Sequence, residues 1–240
     1  MKVILCNDYE EMSEKAARMV ADVMQQKPDA VLGLATGSTP EGMYSRLVAM
    51  NRAGEIDFSG VTTVNLDEYY PISPENDQSY RYFMNTHLFD HVNIDKARTF
   101  VPDGMAPDPE AACAAYEETL RQVGQVDIQV LGIGQNGHIG FNEPADALEV
   151  PTHVTALTES TIKANARFFA SESDVPTHAL TMGMGTILRA KSILIMANGQ
   201  AKQAAVRTML EGKLTTACPA SLLNLHADVT LICDRAALGQ

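Results

Sequence analysis

The chain has 240 residues, of which 45% are hydrophobic and 20% are charged, so it can bury a sizeable core and carries too few charges for a disordered protein. Its 30 acidic residues outnumber 18 basic ones, which gives a formal net charge of −12. We find no basic stripe of the kind that binds nucleic acid, so no nucleic-acid partner is expected. Any site for a phosphorylated ligand must be local, built from backbone N–H groups and one or two cations.

Cysteine usage and the amino-terminal segment both indicate a cytoplasmic protein. Cys6, Cys113, Cys218 and Cys233 are scattered, without a CxxC pair or a metal-ligand spacing, which favours reduced thiols. The first residues have the pattern of a strand and lack the long apolar segment of a signal peptide. No apolar run approaches the roughly 20 residues needed to cross a membrane, so we expect a soluble protein with no membrane partner.

Short apolar runs alternate with helical patterns along the whole chain. Strands are predicted at residues 2–6, 30–35, 62–66, 128–133, 153–157, 178–182, 193–197 and 229–233. Helices are predicted at residues 10–24, 40–50, 109–123, 160–169 and 201–210. This alternation predicts an α/β fold with a doubly wound, mostly parallel sheet and helices on both faces, Rossmann-like, as a single domain over residues 1–240. The ligand of such a fold binds at the carboxyl ends of the strands.

The end of the second predicted strand carries small polar residues. Thr36, Gly37, Ser38 and Thr39 follow the apolar run, and Pro40 suits the first turn of a helix. Gly37 permits close backbone approach, and the free N–H groups of the helix start could hold a phosphate. The same residues are also typical of an ordinary helix cap in a tight turn, so both interpretations stand at this point.

Two acids, Asp67 and Glu68, follow the third predicted strand. Successive residues of an extended chain point to opposite sides, so the two carboxylates are not expected to act as a close pair. One of them could be a general base with a pKa set by its cleft. The alternative is a pair of solvated loop acids.

A glycine-dense loop follows the strand predicted at residues 128–133. Its sequence, GIGQNGHIGFNEP, contains four glycines and brings Asn136, His138 and Glu143 near one another. A carboxylate that accepts a hydrogen bond from one imidazole nitrogen fixes the tautomer at the other, which suits a proton shuttle. The loop is therefore a candidate for acid–base chemistry.

The segments LATGSTP, NLDEY and GIGQNGHIGFNEP together resemble those of the glucosamine-6-phosphate deaminase family. The resemblance runs from Val31 to the ASLLNLHADVTLICD segment that ends at Asp234, and GHIGFNEP after NLDEY is its most specific part. It implies an enzyme that binds an amino-sugar phosphate and converts glucosamine 6-phosphate to fructose 6-phosphate and ammonia. Neither a metal nor an organic cofactor is expected.

The resemblance also implies roles for individual residues. Asp67 corresponds to the proton acceptor at C2 of the open-chain sugar, and His138 to the acid–base group that opens the pyranose ring. Glu143 resembles the carboxylate partner of that histidine, and Asn136 stands where other members have Asp or Asn. The phosphate site corresponds to Gly37, Ser38, Thr39, Arg167 and Lys202.

The chain departs from the family pattern at two places. Pro71 follows Tyr70 where some members have Gly near this position, which predicts a stiffer loop after the base. The stretch 145–155 has no Lys or Arg, whereas allosterically activated members carry basic residues there. We therefore expect no activation by an N-acetylated sugar phosphate, and a monomer is favoured over a homo-oligomer.

Three alternative functions are kept. The chain could deaminate another amino-sugar phosphate such as galactosamine 6-phosphate, because the residues that read the C4 configuration are not identified. It could be a 6-phosphogluconolactonase, which shares the fold type but needs no base at C2. It could be a non-catalytic phosphosugar sensor, although we expect no DNA-binding segment before residue 2 or after residue 234.

Overall fold

The computed structural model describes residues 1–157, 162, 169, 171 and 175–240. The helix predicted at residues 160–169 and the side chain of Arg167 lie outside these described residues. All eight predicted strands are present, with boundaries that differ by at most one residue. The strands are β1 (Lys2–Cys6), β2 (Val31–Leu34), β3 (Thr62–Asn65), β4 (Asp67–Tyr70), β5 (Thr99–Phe100), β6 (Ile128–Gly132), β7 (His153–Ala156), β8 (His178–Thr181), β9 (Ser192–Ala197) and β10 (Val229–Asp234). Of these, β4 and β5 were not predicted.

Seven strands form a parallel sheet in the order β1-β10-β9-β6-β2-β3-β5. Strands β2, β3 and β9 are buried almost throughout, as expected of parallel strands covered on both faces. The first and last strands pair side by side, with Ile4 opposite Ile232, so the two ends of the chain join one sheet. The predicted parallel α/β fold is confirmed.

A second, smaller sheet was not predicted. Strands β4, β8 and β7 pair in antiparallel fashion, with Asp67 opposite Thr181 and Val154 opposite Leu180. The runs at 153–157 and 178–182 are therefore strands, as predicted, but they do not join the parallel sheet. The sequence pattern predicts where each strand lies but not which strand it pairs with, because pairing depends on the path of the chain between strands.

The main helices are α1 (Tyr9–Gln26), α2 (Ser38–Arg52), α3 (Tyr80–His87) and α4 (Pro109–Val123), and short helices span Met184–Ile187, Gln203–Leu210 and Arg235–Leu238. Local capping explains several boundaries. Asp8 accepts from the backbone N–H of Glu11 to begin α1, and Asp108 does the same for α4, where Pro109 occupies the first turn. Helix α3 was not predicted, because its eight residues form only about two turns and give a short periodic pattern.

Apolar side chains cover both faces of the parallel sheet. One cluster joins α1 and α2 to the sheet and includes Met12, Tyr44 and Leu47. The other lies on the α4 side and includes Tyr116 and Leu131. Within the described part of the chain, no helix is long and apolar enough to cross a membrane.

Candidate active site

A cleft of about 600 Å³ opens at the carboxyl edge of the parallel sheet. It lies where the segments after β2, β3 and β6 meet, as expected for an open α/β sheet. The predicted site residues that line it are Gly37, Ser38, Thr39, Asp67, Asn136, His138, Glu143 and Lys202. Every predicted site residue in the described part of the chain therefore lies at one cleft.

The segment after β2 forms one end of this cleft. Gly37 has φ 93°, a left-handed conformation that favours glycine, and it precedes the first residue of α2. No side chain caps this helix, so its first backbone N–H groups are available to a ligand. Tyr9 holds the helix start in place: its hydroxyl donates to the carbonyl of Ser38 and accepts from the N–H of Gly42, both at 2.8 Å. These features favour the anion-cradle interpretation of the loop.

Lys202 supplies a positive charge to the same cleft. It ends a short 3-10 helix (Gln200–Lys202) after β9 and is half-buried. Among the described residues it forms no ion pair, and partial burial lowers the pKa of its ammonium group. A desolvated cation without an acidic partner is poised to pair with an anionic ligand.

Asp67 is buried at the wall of the cleft. It begins β4 and is 6% exposed, so the alternative interpretation of two solvated loop acids is wrong. Its carboxylate makes no hydrogen bond within the described part of the chain, and a Cβ atom at Gly140 would lie only 3.3 Å from its Oδ2. Burial raises the pKa of Asp67 to about 8, and the neighbouring charge of Glu68 adds to the rise. A carboxylate with these properties is a stronger base than a solvated one.

Glu68 lies on the other side of β4. Its carboxylate accepts hydrogen bonds from backbone N–H groups at the start of α3, away from the cleft. The two acids therefore do not act as a close pair, as the alternation along an extended strand predicts.

Asn136, His138 and Glu143 form a connected group in the loop after β6. Nδ1 of His138 lies 3.1 Å from Oε1 of Glu143, an electrostatic contact without the alignment of a hydrogen bond. Asn136 donates from Nδ2 to Oε2 of Glu143 at 2.6 Å and accepts from the backbone N–H of His138 at 3.2 Å. Burial acts to raise the pKa of Glu143, but His138 and Asn136 outweigh it and hold that pKa below its ordinary value.

Two glycines of this loop are required by close contacts. A Cβ atom at Gly134 would collide with the imidazole of His138, so only glycine lets the ring lie flat over the turn. Gly137 has φ 86°, and a Cβ atom there would collide with Sγ of Cys218. The N–H of Ala220 donates to the carbonyl of Gly137 at 2.9 Å, so the segment that contains Cys218 and Ala220 packs against the loop and holds it in place.

Sequence reasoning missed an aromatic wall. Tyr80 and Phe141 line the cleft with their rings nearly parallel, 9° apart in orientation and 6.1 Å between centroids. Tyr69 packs against both rings from behind. Phe141 lies inside the GHIGFNEP segment and could have been noticed, whereas Tyr80 follows a polar loop and gave no signal.

Fold and cleft together define an α/β enzyme with acid–base groups at the carboxyl edge of its sheet. Residues 8–232 match the family model of glucosamine-6-phosphate isomerases/6-phosphogluconolactonase. The chain therefore belongs to this family.

Two similar relatives carry the name glucosamine-6-phosphate deaminase. The chain is 55% identical over 234 residues to the glucosamine-6-phosphate deaminase of Clostridium perfringens (strain 13 / Type A), covering 98% of this chain and 97% of that protein. It is 56% identical over 237 residues to the glucosamine-6-phosphate deaminase of Halothermothrix orenii, covering 99% and 98%.

Two solved structures resemble the chain at different levels of identity. A structure described as a monomeric glucosamine-6-phosphate deaminase superposes with a TM-score of 0.96 at 50% identity, covering 100% of this chain and 99% of the other. The 6-phosphogluconolactonase of Trypanosoma brucei superposes with a TM-score of 0.77 at 18% identity, covering 99% and 97%, which demonstrates a shared fold alone.

Proposed function

We propose that this chain converts glucosamine 6-phosphate and water to fructose 6-phosphate and ammonia. The observation that carries the proposal is the carboxyl of Asp67, which lies in the same cleft as the His138–Glu143 pair. A base at C2 is needed for aldose–ketose isomerisation and is not needed by a lactonase. The names of the relatives at 55–56% identity support the same reaction.

The cleft suits a substrate bound with its phosphate at the α2 end. The free N–H groups of Ser38 and Thr39 and the ammonium of Lys202 would hold the phosphate oxygens by charge-assisted hydrogen bonds. The proposed contribution of Arg167 lies outside the described residues. Anchoring the phosphate at this end leaves the rest of the cleft for the sugar carbons, and binding there overcomes the unfavourable net charge of −12 locally.

His138 is proposed to open the pyranose ring. A ring-opening step takes a proton from the C1 hydroxyl and returns one to the ring oxygen, which requires a group that both accepts and donates. Glu143 stabilises the imidazolium that forms in between, and Asn136 orients Glu143 through the 2.6 Å hydrogen bond. The product of this step is the open-chain aldehyde.

Asp67 is proposed to remove the proton from C2 of that aldehyde and deliver it to C1. The electron pair of the C2–H bond forms the C1–C2 double bond, and the carbonyl pair moves to O1, which takes up a proton to give an enol. When Asp67 returns its proton to C1, the nitrogen lone pair forms the C2=N bond. The nitrogen then releases one proton, which balances the proton taken up at O1. Water then adds at C2 and ammonia departs, giving the ketose phosphate. Burial favours this chemistry because it makes Asp67 more basic.

The test is a substrate panel in which a coupled assay follows fructose 6-phosphate, ammonia release reports turnover of galactosamine 6-phosphate, and acid release above the spontaneous rate reports hydrolysis of 6-phosphogluconolactone. Wild-type protein and Asp67→Asn are incubated with glucosamine 6-phosphate, galactosamine 6-phosphate and 6-phosphogluconolactone. We expect fructose 6-phosphate from the first substrate alone, with at least a 10²-fold loss in the variant. If one of the other two substrates is turned over instead, the cleft is still a phosphosugar site but its substrate is a different one. No turnover of any would overturn the proposed reaction and favour a phosphosugar sensor.

We also propose that the protein is a monomer without activation by N-acetylglucosamine 6-phosphate. The neighbour at 50% identity is described as monomeric, and residues 145–155 contain no Lys or Arg that would bind an anionic effector. Light scattering coupled to gel filtration tests the first point. Rate curves with and without the effector test the second, and a marked stimulation would contradict it.

The proposed compartment is the cytoplasm. Cys6, Cys113, Cys218 and Cys233 are all free and buried, a state that suits a reducing environment. Fractionation of producing cells with compartment markers tests this placement, and recovery in an extracytoplasmic fraction would contradict it.

A further inference from the structure

Glu68 has no role in the reaction as proposed, yet it is one of the most buried acids of the chain. It is 2% exposed, directly follows Asp67, and points to the other side of β4. Its carboxylate accepts three backbone hydrogen bonds, from the N–H groups of Tyr69 at 2.9 Å, Tyr80 at 2.8 Å and Arg81 at 2.9 Å. A buried acid with this set of donors fixes the positions of the backbone segments that it joins.

Two of these donors are the first N–H groups of α3. Helix starts leave such groups without partners, and a carboxylate there also interacts favourably with the helix dipole. Ser79 caps the following turn by accepting from the N–H of Tyr82 at 3.0 Å. Glu68 therefore ties the start of α3 directly to β4, across the loop formed by residues 71–79.

This connection determines where Tyr80 lies. Tyr80 is the first residue of α3, and its ring stacks against Phe141 at the cleft and packs 4.8 Å from Tyr69, centroid to centroid. A shift of the helix start would move the Tyr80 ring along the cleft wall. The position of one wall of the active site thus depends on the carboxylate of Glu68.

Glu68 also lies close enough to Asp67 to affect its charge. Burial raises the pKa of Glu68 to about 7, although the three N–H groups and the charge of Arg81 oppose the rise. The charge of Glu68 in turn adds to the raised pKa of Asp67. The titratable groups facing these two acids are Tyr69 on β4, Tyr80 and Arg81 on α3, and Tyr116 on α4. Strand β8 places no titratable side chain opposite either acid, because Leu180 lies opposite Glu68 and Thr181 lies opposite Asp67.

We propose that Glu68 is a positioning residue for the deamination: its carboxylate anchors the start of α3 so that Tyr80 forms the cleft wall. The proposal rests on the proposed function for its kinetic consequences. Its structural consequences are independent of any activity.

The test is Glu68→Gln, which keeps the size of the side chain, removes its charge and places an NH₂ group against a backbone N–H. Glu75→Gln is the matched control, because Glu75 is exposed in the loop between β4 and α3. We expect the acid limb of the kcat/KM profile to move at least half a pH unit lower in Glu68→Gln. KM should rise about fivefold or more, and hydrogen exchange at residues 79–87 should increase. Glu75→Gln should leave all three unchanged.

Two measurements separate this proposal from the proposed function. If wild type turns over none of the substrates, hydrogen exchange and a ¹³C NMR titration of the Asp67 carboxyl still test Glu68. Folded Glu68→Gln with wild-type exchange at 79–87 overturns the proposal, whatever the Asp67 titration shows. If Glu68→Gln does not fold, Glu68→Asp is the variant that tests the proposal. It keeps the negative charge, but its side chain is too short to accept from all three backbone N–H groups. Faster exchange with an unshifted acid limb supports the proposal, and wild-type exchange overturns it.

Discussion

The amide of Asn136 donates to Oε2 of Glu143 at 2.6 Å, while Oε1 of the same carboxylate lies 3.1 Å from Nδ1 of His138. Glu143 is thus held from both sides by groups that favour its charged form, which explains why its pKa stays low despite burial. Asn136 acts on His138 only through Glu143 and through the backbone N–H of the histidine.

Replacement of Asn136 by Asp should raise the pKa of Glu143. The variant loses the donor to Oε2 and adds a like charge, and both changes disfavour the ionised form. We expect a rise of about one pKa unit, measured by ¹³C NMR titration of the Glu143 carboxyl, with kcat kept within about tenfold. Asn136→Ala, which removes the donor without adding charge, should raise the pKa by less. An equal or larger rise in Asn136→Ala would refute the like-charge explanation.

The activity should increase with pH up to about 8. Asp67 must lose its proton before it can accept one from C2, and its pKa is raised to about 8 by burial and by Glu68. We expect log kcat/KM to rise with a slope near one between pH 6 and pH 7.5 and to level off above pH 8. The coupling enzymes are checked with added fructose 6-phosphate at each pH. A flat profile from pH 6 to 9 would contradict the raised pKa.

Asp67→Asn should stabilise the protein at alkaline pH. Because the folded-state pKa of Asp67 lies above its ordinary value of 3.8, the folded protein keeps a proton that the unfolded chain releases between about pH 4 and pH 8. The free energy of unfolding of the wild type therefore falls across this window as pH rises. The neutral Asn avoids this loss.

We expect the stability difference between Asp67→Asn and wild type to increase by about 2 kcal/mol or more from pH 5 to pH 9. Urea unfolding at both pH values measures it. Asp77→Asn, which changes an exposed acid, serves as the control and should give no such difference. A difference that is the same at pH 5 and pH 9 would show that Asp67 titrates normally.

Lys202→Met should weaken substrate binding. Met keeps much of the length of the side chain but removes the cation at the phosphate end of the cleft. A hydrogen bond to a charged group contributes about 1.5–3 kcal/mol, so KM for glucosamine 6-phosphate should rise by roughly 10- to 100-fold. Lys213→Met changes an exposed lysine and should keep the wild-type KM. Equal KM values for the two variants would remove Lys202 from the phosphate site.

Gly134→Ala should reduce turnover without a matching loss of stability. The added methyl group would occupy the space of the His138 imidazole and push the ring away from Glu143. We expect kcat to fall by about 10²-fold, as for loss of a positioned acid–base group. Gly124→Ala is the control for a general loss of stability. It strains the backbone, because Gly124 has φ 93°, but it lies outside the cleft and should keep the wild-type kcat. Wild-type kcat in a folded Gly134→Ala protein would contradict this role of the glycine.

Several features followed from the sequence because they depend on local physics. Apolar runs fixed most strands, and the carboxyl ends of β2, β3 and β6 were correctly expected to carry the site. The five-residue spacing from His138 to Glu143 in a glycine-dense loop predicted their contact. Alternation along an extended chain separated Asp67 from Glu68, and that separation is present.

Other features were decided only by tertiary structure. The burial of Asp67, and with it the raised pKa, depends on β8 and on the glycine loop, which lie far from Asp67 in the chain. The antiparallel sheet of β4, β7 and β8, the aromatic wall of Tyr80 and the anchoring of α3 by Glu68 likewise join distant segments. Local sequence sets which residues can form a strand, a turn or a base. Desolvation and long-range pairing, which set how strong that base is and what surrounds it, exist only once the elements pack together.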